Sequence, residues 1–401
     1  FRPHENFDVA LTYLASDLVG AGSTVQKNIN PSPLAQAAGI SPQPDDYRAI
    51  QDFPADGGGT QELAYGTLSF RAAPFDTKLT LSTQEVQADL QSLDYDGSPR
   101  PLVSATAKNN GQIDEADSIE LQFLSNDTTW GHEHVQWVIG GFYFDETGGY
   151  DPVTLAAAPN LLAGLRTGSL LPGLSIPDGL ADTIDQLDVL GLLAEDGGVQ
   201  LPLFGLLDTR SVSAFTQLTW FINDVFNLTV GARYQDEKRT VRDSRSTVLL
   251  PDGTNQTLLA FADRTETNKN FSPKVTLSAQ TEDILYYASW GTAFKGGTFN
   301  TVNVYTPPSY VVPQEVTSYE IGIKSEFPDQ GLRLNAAAFY TDIDDPQVLY
   351  VSVLTGGAVV LENAQKGRTQ GFELDGSWLP MTDLNPGLLL TGNLTYVDAT
   401  F

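Results

Sequence analysis

Cysteine is absent from the 401 residues. That excludes a disulfide framework, Cys-ligated zinc or iron–sulfur centres and a thiol nucleophile. Basic residues are scarce: 22 Lys and Arg face 50 Asp and Glu, a formal charge of −28. A nucleic-acid binder acting through a basic surface is thereby excluded. Long apolar runs are missing as well. The most apolar stretch, 155–193, is broken by Pro159, Arg166, Pro172, Pro177, Asp178, Asp182 and Asp185, so it cannot cross a bilayer as a helix. The only methionine is Met381, and Phe1 is not followed by a charged-then-apolar leader. The expectation is an interior piece of a longer protein, in which a missing signal peptide says nothing about location. Aromatic residues at 10% and charged residues at only 18% argue against disorder.

Helical periodicity is nearly absent too, and what replaces it is alternation at period two from about Gly111 onward. Along 227–235 one row carries Leu228, Val230, Ala232 and Tyr234, the other Asn227, Thr229, Gly231, Arg233 and Gln235. The stretch 318–327 sets Tyr319, Ile321, Ile323 and Phe327, interrupted only by Ser325, against Ser318, Glu320, Gly322, Lys324 and Glu326. Leu332, Leu334, Ala336, Ala338 and Tyr340 form another such row, as do Phe372, Leu374 and Trp378. Two segments, 136–144 and 284–292, are apolar on both faces.

Connections alternate between short and long. Short ones fall near 71–76, 126–133, 222–225, 280–283, 328–331 and 379–386, and long acidic ones near 18–60, 95–115, 146–209, 239–269, 293–315 and 343–367. An antiparallel meander whose two ends face different compartments sorts its loops this way, as transmembrane β-barrels do with tight periplasmic turns and longer outer loops. A lysine or arginine on the lipid face costs roughly 2–4 kcal/mol at the midplane, and Arg233, Lys324 and Arg333 all fall on the polar rows. Trp220, Phe226 and Trp378 stand at strand ends, where interfacial aromatics are expected. The fold class read from these features is all-β, an antiparallel up-and-down transmembrane β-barrel. About 13 strands are legible, an odd number that a complete bacterial barrel does not have.

Four segments resemble the TonB-dependent receptor family of Gram-negative outer membranes: SVSAFTQLTWFINDVFNLTVGARYQDEK (211–238), FSPKVTLSAQTEDILYYASWGTAFKGGTFN (271–300), VTSYEIGIKSEFPDQGLRLNAAAFYTDIDD (316–345) and ENAQKGRTQGFELDGSW (362–378). The resemblance covers most of 118–401, and residues 1–111 read as a continuation of the meander. It implies a barrel of about 22 strands, of which residues 1–401 would be one partial domain with the plug absent. It also implies import of a scarce nutrient, with a ferric siderophore the commonest cargo and cobalamin, haem, other metal chelates and oligosaccharides the alternatives. Energy would come from the TonB–ExbB–ExbD complex through a missing N-terminal part. Outer-membrane lipid and lipopolysaccharide would surround the wall. No cofactor is implied.

Candidate sites are few. His132-Glu133-His134 has the H-x-H pattern that turns two imidazoles to one face, but it lies in a short turn, away from an external ligand. No metal site is assigned to it. Asp94, Asp96, Asp342, Asp344 and Asp345 fall at the outer ends of strands, where a cation or cationic ligand could dock. They lack calcium-loop spacing, and solvated loop acids are the plainer reading. Lys295-Gly296-Gly297 lacks the strand-to-helix context and trailing Ser/Thr of a phosphate loop. No catalytic grouping is evident, so an enzyme is not expected. Within the 155–203 insert, Leu180, Ile184 and Leu187 recur near helical spacing, as in a loop that folds over a mouth or packs as a plain hairpin. Two other classes remain open on the strands alone: a passive porin or structural barrel, and a soluble β-sandwich.

Overall fold

The structure, a computed structural model, describes residues 5–20, 56–94, 103–159, 162–163, 193, 197–301, 307–352, 358–380, 385 and 387–400. Its principal sheet runs through thirteen antiparallel strands in chain order: β1 (Phe7–Gly20), β2 (Asp56–Ala72), β3 (Phe75–Asp94), β4 (Val103–Ser125), β5 (Val135–Ala157), β6 (Val199–Phe221), β7 (Phe226–Leu249), β9 (Arg264–Gln280), β10 (Ile284–Lys295), β13 (Gln314–Phe327), β14 (Leu332–Asp344), β17 (Lys366–Trp378) and β18 (Leu390–Thr400). A fourteenth strand, β8 (Asn255–Ala260), pairs with the far end of β7. Two small hairpins stand off this sheet: β11 (Thr298–Phe299) with β12 (Tyr310–Val311), and β15 (Gln347–Ser352) with β16 (Ala358–Asn363). Among the described residues β1 and β18 pair on one side only, so the sheet is open between them.

Register explains the two faces, because directly opposed residues of an antiparallel pair point the same way. The row Trp220, Leu228, Leu277 and Ala288 runs unbroken into Ile321, Ala338 and Phe372. A parallel row links Leu11, Gly66, Leu81, Ile119 and Tyr143. Most of these side chains are exposed although apolar, Leu11 to 80% and Ile321 to 62%. Such a continuous apolar wall is what lipid covers. Ser325, the polar interruption in its row, donates its hydroxyl to the Leu334 carbonyl at 2.5 Å, which removes the cost of an unmet donor on that face. The opposite face pairs polar side chains across strands: Ser82 with Ser118, Thr219 with Thr229, Tyr287 with Glu320 and Asn335 with Asp375. Arg233 and Lys324 lie on this face, over the rings of Phe142 and Tyr287.

The short turns are as expected from their residues. In 222–225 the Asn223 carboxamide accepts from the backbone N–H of Val225 and Phe226. In 328–331 a single 3₁₀ turn ends at Gly331 in the left-handed region, φ 57°, packed against Leu379 where a Cβ would not fit.

The long connections differ from expectation. β4, β5 and β6 have 23 residues each and β7 has 24. At roughly 3.3 Å per residue such a strand is about 75 Å long, whereas a crossing needs only about 9–11 residues. Residues 103–115, 146–157, 199–209 and 239–249 are therefore strand standing above the membrane, and β8 lies within 239–269. The apolar row stops at the membrane edge, and with it the alternation that betrays a strand. Above it the ladder continues on hydroxyl and ionic cross-strand pairs such as Thr240–Thr265 and Arg242–Asp208. The leucine pattern at Leu180, Ile184 and Leu187 lies outside the described residues, as does Asp96; of Asp94 only its place at the end of β3 is described.

These extensions have cores of their own. Bulges at Tyr150/Val153 and Phe204/Leu206 shift the register. Beyond them Ala105, Ala107, Val153, Leu155 and Leu203 form one buried cluster, and Leu162, Val199 and Val248 another. Leu203, 1% exposed, is the more deeply buried of the two leucines in the first. Leu203→Ala is expected to cost about 2–5 kcal/mol of local stability. Hydrogen exchange at 153–157 and 199–203 should speed up while the membrane-spanning strands stay protected.

Candidate ligand-binding mouth

Just above the lipid-facing band the inner wall carries a dense polar patch. Glu146 stands opposite Thr209, Thr209 opposite Arg239, and Arg239 opposite Glu266. One row below, Phe144, Ser211, Glu237 and Asn268 repeat the alignment. Glu237 is buried and holds Arg239 at 2.9 Å and the Gln235 amide at 3.1 Å. Burial pushes the Glu146 carboxyl above its ordinary range, and the neighbouring Asp114 charge adds to this, while Arg239 opposes it. A carboxyl whose folded pKa is raised favours the folded state most below its unfolded pKa and loses that contribution as pH rises through the folded one. Glu146→Gln is accordingly expected to flatten the fall in melting temperature between acid and neutral pH. Thermal melts of wild type and variant across that range give the measurement.

A strap from the β10–β13 connection lies on this patch. β10 ends at Lys295, and Gly296 and Gly297 begin the strap, pressed so closely on Glu237 and on Tyr310 that neither position has room for a Cβ. The Tyr310 hydroxyl donates to Asn268 Oδ1 at 2.5 Å. Phe299 and Val311 are each 3% exposed, and the Arg264 guanidinium sits 5.5 Å from the Phe299 ring centre. On β6, Gly205 faces the Thr301 backbone with no space between.

The neighbouring β14–β17 connection clasps the strap. Asn363 accepts from Val312 N–H at 2.9 Å and donates to the Val312 and Asp345 carbonyls at 3.1 and 2.8 Å. Gln347 donates from Nε2 to the Gly296 and Val312 carbonyls at 2.9 and 3.1 Å, and its N–H reaches Gln314 Oε1 at 3.1 Å. Two loops and the inner wall thus form one hydrogen-bonded unit at the outer end of the strands. The half-buried side-chain amides Asn363 and Gln347 carry no periodicity signal; only the Gly296-Gly297 pair marks a close backbone approach in the sequence.

The sequence candidates are placed elsewhere. Asp342 and Asp344 lie on the outward row, opposed by Arg368 and Lys366 in ion pairs of 3.5 and 3.3 Å. Asp345 occupies the turn beyond, with φ 51°. His132, Glu133 and His134 are in the short turn after β4, with Glu133 and His134 largely exposed. Among the described residues no three His, Asp or Glu converge in a way that could hold a metal ion.

A family profile described as TonB dependent receptor-like, beta-barrel, matches residues 6–401. The chain belongs to the TonB-dependent receptor family. It is therefore an outer-membrane β-barrel protein, of a family of transporters and receptors rather than enzymes. The pesticin receptor of Yersinia enterocolitica is 27% identical over 180 residues, 43% of this chain and 24% of that protein. The ferric yersiniabactin uptake receptor FyuA of Yersinia pestis superposes with a TM-score of 0.62 at 14% identity, over 98% of this chain and 50% of its own. The ferripyoverdine receptor of Pseudomonas aeruginosa superposes at 0.55 with 15% identity, over 100% of this chain and 48% of its own. At such identities the superpositions speak for the fold alone. The receptor chain spans about a quarter of the curated relative and half of the solved receptors.

Proposed function

We propose that this receptor imports a ferric siderophore, energised through TonB, ExbB and ExbD. The observation that carries the reading is the mouth itself: a strap, clasped by a second loop, lies over a polar inner wall on a sheet whose outer face is made for lipid. A device that holds a solute at the outer end of a lumen has that form. The similarity to receptors for ferric yersiniabactin and ferripyoverdine supports an iron chelate as the cargo class. In this reading residues 1–401 are one part of the barrel, and the edges of β1 and β18 close against strands supplied by the rest of the protein, which also supplies the plug.

The test uses the complete reading frame in an iron-starved Gram-negative host lacking its own ferric siderophore receptors. Uptake of ⁵⁵Fe carried by a panel of phenolate, catecholate and hydroxamate siderophores is expected for at least one member, and only when TonB is present. Uptake of none, or uptake unaffected by loss of TonB with passive solute flux in liposomes, overturns the reading in favour of another cargo or of a passive pore.

A further inference from the structure

The inner wall beneath the strap holds more carboxyl groups than cations to match them. Glu146 on β5 is repelled by Asp114 on β4 and by Glu237 on β7, and only Arg239 on β7 attracts it. Asp114 lies one row further out and is opposed by Gly148, so no side chain on β5 screens the two acids from each other. Its Oδ1 is buried without a hydrogen-bond partner among the described residues. The remaining neighbours bring no further cation. β6 presents Thr209, which does not titrate. From β9, Glu266 faces Arg239 but is itself paired with Arg264 at 2.8 Å. Tyr310 of the strap and Tyr150 further out on β5 are phenols that burial keeps neutral. Leu207 and the fully buried Val241 close the row above Glu146, and Phe144 lies in the row below, so water gives the carboxyls little relief.

Glu237 is where this group meets the strap. Its Oε1 accepts from Arg239 at 2.9 Å and its Oε2 from the Gln235 amide at 3.1 Å, while Gly296 covers Oε1 so closely that neither a Cβ nor a water fits between. A carboxylate only 6% exposed tolerates that cover while Arg239 neutralises it. Thr209 alone separates Arg239 from Glu146 in their row, so an ionised Glu146 competes for the same guanidinium. Once Arg239 turns to Glu146, Glu237 becomes a buried bare charge, and the water that would solvate it needs the space Gly296 occupies. We propose that the strap is a proton-sensitive latch, seated while Asp114 and Glu146 hold a proton between them and lifted when Glu146 ionises. The proposal rests on the reading of the strap as the cover of the mouth, and not on the identity of the cargo.

The experiment follows hydrogen exchange of the strap, 298–301 and 310–312, in the full-length receptor without ligand from about pH 4 to about pH 8, each rate divided by the intrinsic rate of the same peptide at that pH. Lifting returns Glu146 to water and to the ordinary carboxyl range, so the seated strap binds more protons than the lifted one. Opening is therefore expected to rise by up to about tenfold per pH unit between the ordinary and the raised value, and to level off on either side. Glu146→Gln, neutral throughout, should abolish the rise and leave the strap protected. Asp114→Asn removes a charge that helps hold the proton, and should end the rise at lower pH. A residue that merely braces the wall would change protection by one factor at every pH. Wild-type protection without pH dependence, or the same dependence in Glu146→Gln, overturns the proposal. If Glu146→Gln fails to show heat-modifiable migration, Asp114→Asn decides, and an unchanged rise there overturns it. Because no ligand is present, failure of the siderophore panel leaves this result standing, and a flat profile leaves the cargo reading standing.

Discussion

Ile321→Lys is expected to destabilise the folded receptor in lipid by about 2–4 kcal/mol, the cost of a cation near the midplane of a barrel's lipid face. Ile321 is 62% exposed, so a soluble sheet would accept the lysine with almost no change. In this molecule its row neighbours are Ala288 and Ala338, and Tyr319 and Ile323 lie above and below it on the same face. None of these offers a counter-ion, and water is a half-bilayer away. Ser289→Lys tests the same element from the inside: Ser289 is opposed by Thr276 and Glu320, so a lysine there gains an acid neighbour in a polar lumen. Its effect is expected to stay below about 1 kcal/mol. Urea unfolding of both variants refolded into thin bilayers gives the comparison. Equal stability of the two would mean that the faces are assigned the wrong way round or that no lipid covers either.

That contrast shows which part of the fold is legible in the sequence. Wherever lipid touches the chain, the physics acts on alternate residues alone, and the sequence displays it: the rows through Leu228, Ile321 and Phe372 and the short turns at 222–225 and 328–331 are found where the periodicity puts them. Above the membrane both faces meet water, and the ladder is held by hydroxyls, ion pairs and bulges with no fixed parity. The outer halves of β5, β6 and β7 therefore read as acidic loop, although Leu203 in β6 and Val241 and Val248 in β7 are as buried as any residue of a soluble core. The mouth was less legible still. Aspartates are conspicuous in a sequence, but Asp342 and Asp344 face outward with their own cations. The residues that join the loops, Asn363 and Gln347, act through amide groups whose partners are backbone atoms far along the chain. No local pattern encodes such contacts, since their geometry exists only after the strands have set the two connections side by side.

The strap gives the other large expected effect. Two of the three backbone hydrogen bonds of Asn363 reach Val312 of the strap, and at about 1 kcal/mol each their loss in Asn363→Ala weakens the clasp by about 2 kcal/mol. At a tenfold change per 1.4 kcal/mol, opening of the strap becomes about 30-fold more frequent. Gly205→Val acts from the opposite side, because the added Cβ would overlap the Thr301 carbonyl oxygen, a backbone atom that cannot swing away like a side-chain tip. Gly392→Ala is the matched control on β18, where nothing lies within 4 Å of the added methyl. Hydrogen exchange should therefore accelerate at 298–301 and 310–312 in both strap variants and stay unchanged in Gly392→Ala, with the amides of β7 and β9 still protected by their own ladder. If a chelate is held beneath the strap, the same two variants should bind it at least tenfold more weakly while expressing and migrating as folded barrels. Acceleration of exchange without loss of binding would separate the two roles, leaving the strap a brace of the extended wall and placing the ligand on another part of the mouth.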